Sequence, residues 1–167
     1  MITDLDRTTR AAARVPENPA QFVAEAQRMT NERDVDAVMT VYGPHPVLQL
    51  VTEGAVERHA GTHEIRSAWS TLLGVFERRD VLVEKTVIAV DDGVIVNGWE
   101  SVVAGPAMRG LEVWAFDEGA RVVRHLAHTF LDVKPATSWH AQSRVLISAP
   151  RLAVALGSAR RRAGREA

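Results

Sequence analysis

The 167-residue sequence contains no cysteine. That excludes disulfides, thiolate metal sites and a cysteine nucleophile, and it fits a reducing compartment. No apolar run approaches the ~20 residues that a membrane span needs. Met1 to Pro16 is polar and lacks the apolar centre of a signal peptide. Together these absences predict a cytoplasmic protein with no membrane partner. An excess of one charge is missing too: the formal net charge is −1, so the chain as a whole has no bias toward nucleic acid. There is no phosphate-cradling glycine loop, no Gly-x-Ser-x-Gly element, no internal repeat and no long low-complexity stretch. The histidines stand at 45, 59, 63, 125, 128 and 140. His59 and His63 straddle a strand–helix junction without a third ligand in register, so no metal is predicted.

What is present is ordinary globular material, 46% hydrophobic and 25% charged, in a length that suits one domain. Three regions are expected. Residues 1–18 form a flexible or short-helical segment, 19–134 an α+β domain, and 135–167 a linker followed by a basic, partly helical tail. Arg151, Arg160, Arg161, Arg162 and Arg165 make the tail basic and leave the body acidic. The tail reads as a solvated extension or a subunit-packing arm, with only weak, salt-sensitive attraction for anions. Leu152, Val154 and Leu156 give it a modest amphipathic pattern, and Pro150 interrupts it.

Within the domain, Asn18 and Pro19 open a helix to Asn31, with Phe22, Ala26 and Met29 on one face. Asp34 caps a short second helix with Val35, Val38, Met39 and Tyr42 inward. Gly43-Pro44-His45-Pro46 ends it. Val47 to Thr52 and Val56 to Ala60 form a strand pair around a Glu53-Gly54 turn. Thr62 is the expected N-cap of a third helix striped by Ile65, Trp69, Leu72, Leu73 and Phe76. Four strands follow: Val81 to Val90, Val94 to Ala104, Arg109 to Phe116 and Arg121 to Val133. Short turns at Asp91-Asp92-Gly93, Gly105-Pro106 and Asp117-Glu118-Gly119 make them antiparallel neighbours. Gly98 marks a bulge or bend in the second of these.

This order of elements resembles the NTF2-like superfamily, which includes SnoaL-like polyketide cyclases and ketosteroid isomerases. Three stretches carry the likeness: NERDVDAVMTVYGPH at the hinge of the first two helices, RHAGTHEIRSAWSTL at the entry to the third, and LEVWAFDEGARVVRHLAHTFLDV in the last hairpin. The resemblance implies a cone, with three N-terminal helices packed against a curved antiparallel sheet around an apolar pocket. It implies a small apolar, cyclic ligand, polyketide- or steroid-like, handled without a cofactor, and a homodimer through the sheet. One scaffold hosts many activities. The alternative is therefore a non-catalytic ligand-binding or dimeric assembly module.

The family's catalytic positions are only partly filled. The shuttle aspartate of the isomerases falls at Gln49, Leu50 or Val51, and their helix-one tyrosine at Ala26. The acid on the third long strand is matched by Glu112. The Arg/Asp/Asp set of the epoxide hydrolases lacks an acid at Thr129.

Glu112 lies between apolar neighbours, where desolvation would raise its pKa and make it a proton or hydrogen-bond donor. It reads equally as a surface residue if its face is solvated. His125, with Val123 and Ala127, points toward the expected cavity and would pair with Glu112 as acid and base; the alternative is a structural or interface histidine. His128 takes the opposite face. Trp99, Trp114, Trp69, Tyr42, Gln49 and Asn97 are the expected ligand contacts, although Trp69 reads also as ordinary core. Of Asn97 and Glu100, one must face inward, since adjacent parities point opposite ways. His45 sits in the proline-flanked loop, as a proton carrier at the mouth or as a plain loop residue.

Overall fold

The computed structural model describes residues 13–102 and 107–131 continuously, and separate positions between 133 and 158. The expectations for residues 1–12, for the Gly105-Pro106 turn, for Leu152 and Leu156 and for the arginines beyond Arg151 lie outside the described residues. The chain divides into two compact units, Met1–Leu131 and Asp132–Ala167. In the second, helical residues occur on both sides of Ala149, and the Ala153 N–H bonds the Ala149 carbonyl at 3.0 Å. Among the described residues no helix is long and apolar enough to cross a membrane.

The first unit begins with α1 (Pro19–Glu32) and α2 (Val35–Thr40). Each has the cap its sequence announces. The Asn18 side chain accepts from the Gln21 N–H at 3.0 Å, and the Asp34 carboxylate accepts from the Ala37 N–H at 2.8 Å. Such caps satisfy backbone donors that the first turn leaves orphaned. Val23, Ala26, Met29 and Thr30 form the buried stripe of α1.

The first departure comes next. Gly43-Pro44-His45-Pro46 is extended and belongs to β1 (Tyr42–Thr52), rather than to a loop. Tyr42 is therefore a strand residue, not an inward residue of α2, and His45 is exposed along the strand. Proline cannot donate to a ladder. The pairing is accordingly broken between Tyr42, opposite Val122, and Val47, opposite Arg124. At the other end, Glu53 (φ 51°) and Gly54 (φ 88°) make a two-residue turn into β2 (Ala55–Ala60), both left-handed as a type I′ hairpin requires.

The third helix, α3 (Gly61–Arg78), starts two residues earlier than an N-cap at Thr62 would allow. Its N-cap is Ala60, which has no capping side chain. Instead, the Glu64 carboxylate reaches back to the Ala60 N–H at 2.8 Å, from the fourth helical position rather than the third that a capping box uses. Ile65, Ala68, Trp69, Leu73 and Phe76 are buried.

The remaining strands are β3 (Val83–Asp91), β4 (Val94–Ser101), β5 (Arg109–Phe116) and β6 (Val122–Phe130). They complete a curved, open six-stranded sheet in the order β2-β1-β6-β5-β4-β3. All neighbours are antiparallel except β1 and β6, which run parallel. Two register shifts matter. In β3 the ladder slips between Val87 and Ala89, so the bulge sits at Ile88 on the strand beside Gly98 and not at Gly98 itself. The second slip lies between β5 and β6 at Ala115/Phe116. It turns Val122 inward, leaves Val123 half-buried, and returns His125, Ala127 and Thr129 to the inner face. Val123 thus does not share the inner face with His125. That face, with Leu48, Ile95, Trp99, Trp114 and Phe116, packs under α1 and α3 as the core.

Candidate functional site

Period-two alternation places one set of residues of β4 and β5 inside: Ile95, Asn97 and Trp99 on β4, and Glu112, Trp114 and Phe116 on β5. Asn97 is the inward member of the pair left open by the sequence, and Glu100 is exposed. Glu112 is 4% exposed, so its face is the core face and the surface reading is excluded.

An unpaired buried carboxylate would be prohibitively costly, and its partner is a residue that sequence reasoning missed. Lys85, on β3, places Nζ 2.9 Å from Oε1 and 2.7 Å from Oε2 of Glu112. The two side chains are 2% and 5% exposed. A signal existed: Lys85 is the charged member of the Val83-Lys85-Val87 parity, where apolar neighbours at i±2 mark a covered face. Asn97 adds a third contact, donating from Nδ2 to Oε2 at 2.8 Å.

These partners reverse the expected ionisation of Glu112. Burial alone favours the protonated carboxyl and is the largest single influence. The Lys85 ammonium, with its hydrogen bonds and that of Asn97, outweighs it and holds Glu112 below its ordinary value. Glu112 is therefore a carboxylate at neutral pH, an acceptor rather than a proton donor.

His125 is not opposite Glu112 but diagonal to it. Trp114 faces His125 across the β5–β6 ladder, and Ala127 faces Glu112. The diagonal still brings Nε2 of His125 to 3.8 Å from Oε1 of Glu112, beyond hydrogen-bond reach. Burial, with the nearby Lys85 charge acting in the same sense, pushes His125 down to about 3, so the imidazole is neutral. Its ring is sandwiched between two indoles, 3.5 Å from Trp114 and 6.0 Å from Trp69 between centroids, at 14° and 19°.

Two hydrogen-bond chains run through this layer, and each begins at an indole donor. An indole N–H can only donate. Trp69 Nε1 donates to the Tyr42 hydroxyl at 2.9 Å, and the buried phenol proton finds its acceptor in Nδ1 of His125 at 2.8 Å, the tautomer that turns an N–H rather than a lone pair toward the Glu112 carboxylate. A neutral His125 accepting at Nδ1 carries its proton on Nε2, the atom aimed at Glu112; Nε2 has no hydrogen-bond partner. In the second chain Trp114 Nε1 donates to Asn97 Oδ1 at 2.7 Å, which orients the amide so that its NH2 meets Glu112. Burial raises the pKa of Tyr42 and keeps the phenol protonated.

An apolar recess opens beside the ion pair. Its walls include Leu50, Leu72, Phe76, Trp99 and Ala127, with Lys85 and Glu112 as its charged lining. Of the expected ligand contacts, Trp69 and Trp99 line it. Trp114, Tyr42 and Asn97 stand behind it in the hydrogen-bonded layer, and Gln49 alternates to the other face of β1 from Leu48 and Leu50. The recess encloses about 30 Å³, room for about two waters. Trp99 reaches it because its cross-strand neighbour is Gly110: a Cβ there would lie 2.3 Å from the Trp99 indole nitrogen and 2.3 Å from the His128 carbonyl oxygen. Among the described residues, no group of three or more His, Asp or Glu side chains is arranged to hold a metal ion.

Solved structures with the same architecture include a SnoaL-like protein of unknown function from Burkholderia thailandensis. It is 22% identical with a TM-score of 0.56, the match covering 70% of this chain and 98% of that one. The fold is NTF2-like. A steroid delta-isomerase from Pseudomonas aeruginosa shares this NTF2-like fold at 19% identity and TM-score 0.51, over 87% of this chain and 98% of that one. So does an epoxide hydrolase/cyclase-like enzyme, SalBIII, with a role in pyran ring formation in the polyether salinomycin. It is 16% identical with a TM-score of 0.53, over 66% of this chain and 89% of that one. No protein-family model and no curated protein matches the sequence.

Proposed function

We propose that this NTF2-like domain binds a small apolar, cyclic molecule, polyketide- or steroid-like, in the recess, with the Lys85–Glu112 pair anchoring one polar group. The observation that carries this reading is a desolvated ion pair in the lining of an apolar hollow. Pockets that orient small ligands combine apolar walls with few convergent polar groups. The Lys85 ammonium spends two of its three N–H donors on Glu112, and the third suits a ligand carbonyl or hydroxyl. The hollow as it stands holds about two waters, so a ring enters it only if wall residues such as Leu72, Phe76 and Trp99 move apart. Related folds acting on polyether and steroid substrates support the ligand class. No cofactor is required.

Proton transfer at Glu112 is the second reading. The carboxylate would act as a base toward a proton next to a carbonyl held by Lys85, with His125 positioning it. The lowered pKa of Glu112 weakens such a base, which favours binding over turnover. Pairing of two copies through the outer sheet face belongs to either reading. Leu111 and Phe130 are 38% and 48% exposed there, and light scattering would detect the dimer.

The binding test uses 2-naphthol followed by tryptophan fluorescence. Saturable quenching is expected, weakened at least tenfold by Ala127→Leu, which fills the recess from β6. Quenching that is non-saturable, or indifferent to that substitution, would overturn the proposal.

A further inference from the structure

The chain uses arginine for nearly all of its positive charge. Of 20 cationic side chains, only Lys85 and Lys134 are lysines. Lys134 is exposed. The other lysine occupies the most enclosed cationic position described, at the edge of an apolar recess and against a buried carboxylate. For ion pairing alone, the guanidinium matches a carboxylate better, being planar and bidentate. An ammonium differs in being able to lose its proton and become a nucleophile.

We propose that Lys85 captures the carbonyl group of an aldehyde or ketone ligand covalently, as an iminium. This deepens the binding reading above and rests on it. The neighbouring atoms supply what the condensation needs. Glu112 lies 2.7 and 2.9 Å from Nζ, close enough to take a proton directly. As the nitrogen lone pair forms the C–N bond, the C=O π electrons move to oxygen. Two of the three ammonium protons pass in turn through Glu112 to that oxygen, which leaves as water. The third stays on nitrogen as the C=N bond forms. The sum is an ammonium and a carbonyl giving an iminium and water, with Glu112 returned as a carboxylate. The charge at nitrogen is +1 before and after, so the buried ion pair survives the reaction. That continuity matters, because a neutral adduct would leave Glu112 unpaired in the core. Asn97, itself oriented by Trp114, holds Oε2 of Glu112 in place throughout.

The full chain would be incubated with benzaldehyde and sodium cyanoborohydride, and the benzyl adduct mapped by peptide mass spectrometry. Labelling at Lys85 is expected at least tenfold faster than at Lys134, whose exposure makes it an internal reference amine. Lys134→Arg should leave the Lys85 adduct unchanged, and Lys85→Arg, which keeps the charge, should remove it. Labelling at Lys134 equal to or faster than at Lys85 overturns the proposal, whether or not the Lys85 variant folds. Benzyl alcohol, the same ring without a carbonyl, separates the two readings. If it quenches tryptophan fluorescence saturably while Lys85 stays unlabelled, covalent capture fails and binding stands. If neither compound engages the recess, both fail.

Discussion

The Tyr42 hydroxyl donates to Nδ1 of His125 across 2.8 Å while accepting from the Trp69 indole, so a tyrosine at the start of β1 dictates which nitrogen of a histidine on β6 carries the proton. The chosen nitrogen, Nε2, faces Glu112 without a hydrogen bond. The layer is thus satisfied from one side and open on the other. A rearrangement of under an ångström would join His125 to the carboxylate.

Acid should destabilise this protein earlier than carboxylates alone would cause. His125 titrates near 6.5 when unfolded and about 3 when folded, so between these values the unfolded chain binds more protons and stability falls as pH drops. The slope from this one group is about 1.4 kcal/mol per pH unit. Glu112, lowered by Lys85, adds a further loss once pH falls below its ordinary range, near 4.5. Urea unfolding from pH 7.5 to 5 measures the first effect. His125→Gln should flatten the curve across that window; an unchanged slope would show that His125 is not the responsible group.

Tyr42→Phe deletes one oxygen and strands two buried groups, the Trp69 N–H and Nδ1 of His125. Each unsatisfied group costs about 1–3 kcal/mol, so chemical denaturation should show a loss of about 2–6 kcal/mol. A loss under about 0.5 kcal/mol, the usual ceiling for a surface change, would mean that the chain of bonds contributes nothing.

Breaking the ion pair from one side should be worse than removing it from both. Lys85→Met leaves Glu112 buried and unpaired, at about 3–5 kcal/mol. Adding Glu112→Gln neutralises that charge and keeps the Asn97 contact, so the double variant should recover part of the loss. A double variant whose loss equals the sum of the two single losses would show that the two side chains do not interact.

Gly110→Ala tests the packing of the recess wall. The new Cβ meets the Trp99 ring and a backbone oxygen at 2.3 Å. The ring must move, and overpacking of this kind costs about 1–3 kcal/mol. Trp99 fluorescence should shift toward solvent-exposed values, and 2-naphthol affinity should change with it. Native fluorescence together with native stability would contradict the contact.

Sequence pattern determined the order of helices and strands, because caps and period-two alternation are local. Asn18 and Asp34 announced α1 and α2, and the hairpin signals placed β3 to β6 within a few residues. Alternation also put Glu112, Trp114 and Phe116 on one face. Only the tertiary structure decided what that face meets. The parallel pairing of β1 with β6 joins residues some 80 positions apart, and no local pattern encodes it. It turned the prolines of β1 into strand and brought Tyr42 to His125. The slip in the β5–β6 ladder moved His125 onto the diagonal from Glu112. The packing of β3 beside β4 delivered Lys85 to the carboxylate, and with it the charge of Glu112. Ionisation depends on the nearest atoms in space, which is why the acid legible in the sequence became a base-like carboxylate only once its cation was in view.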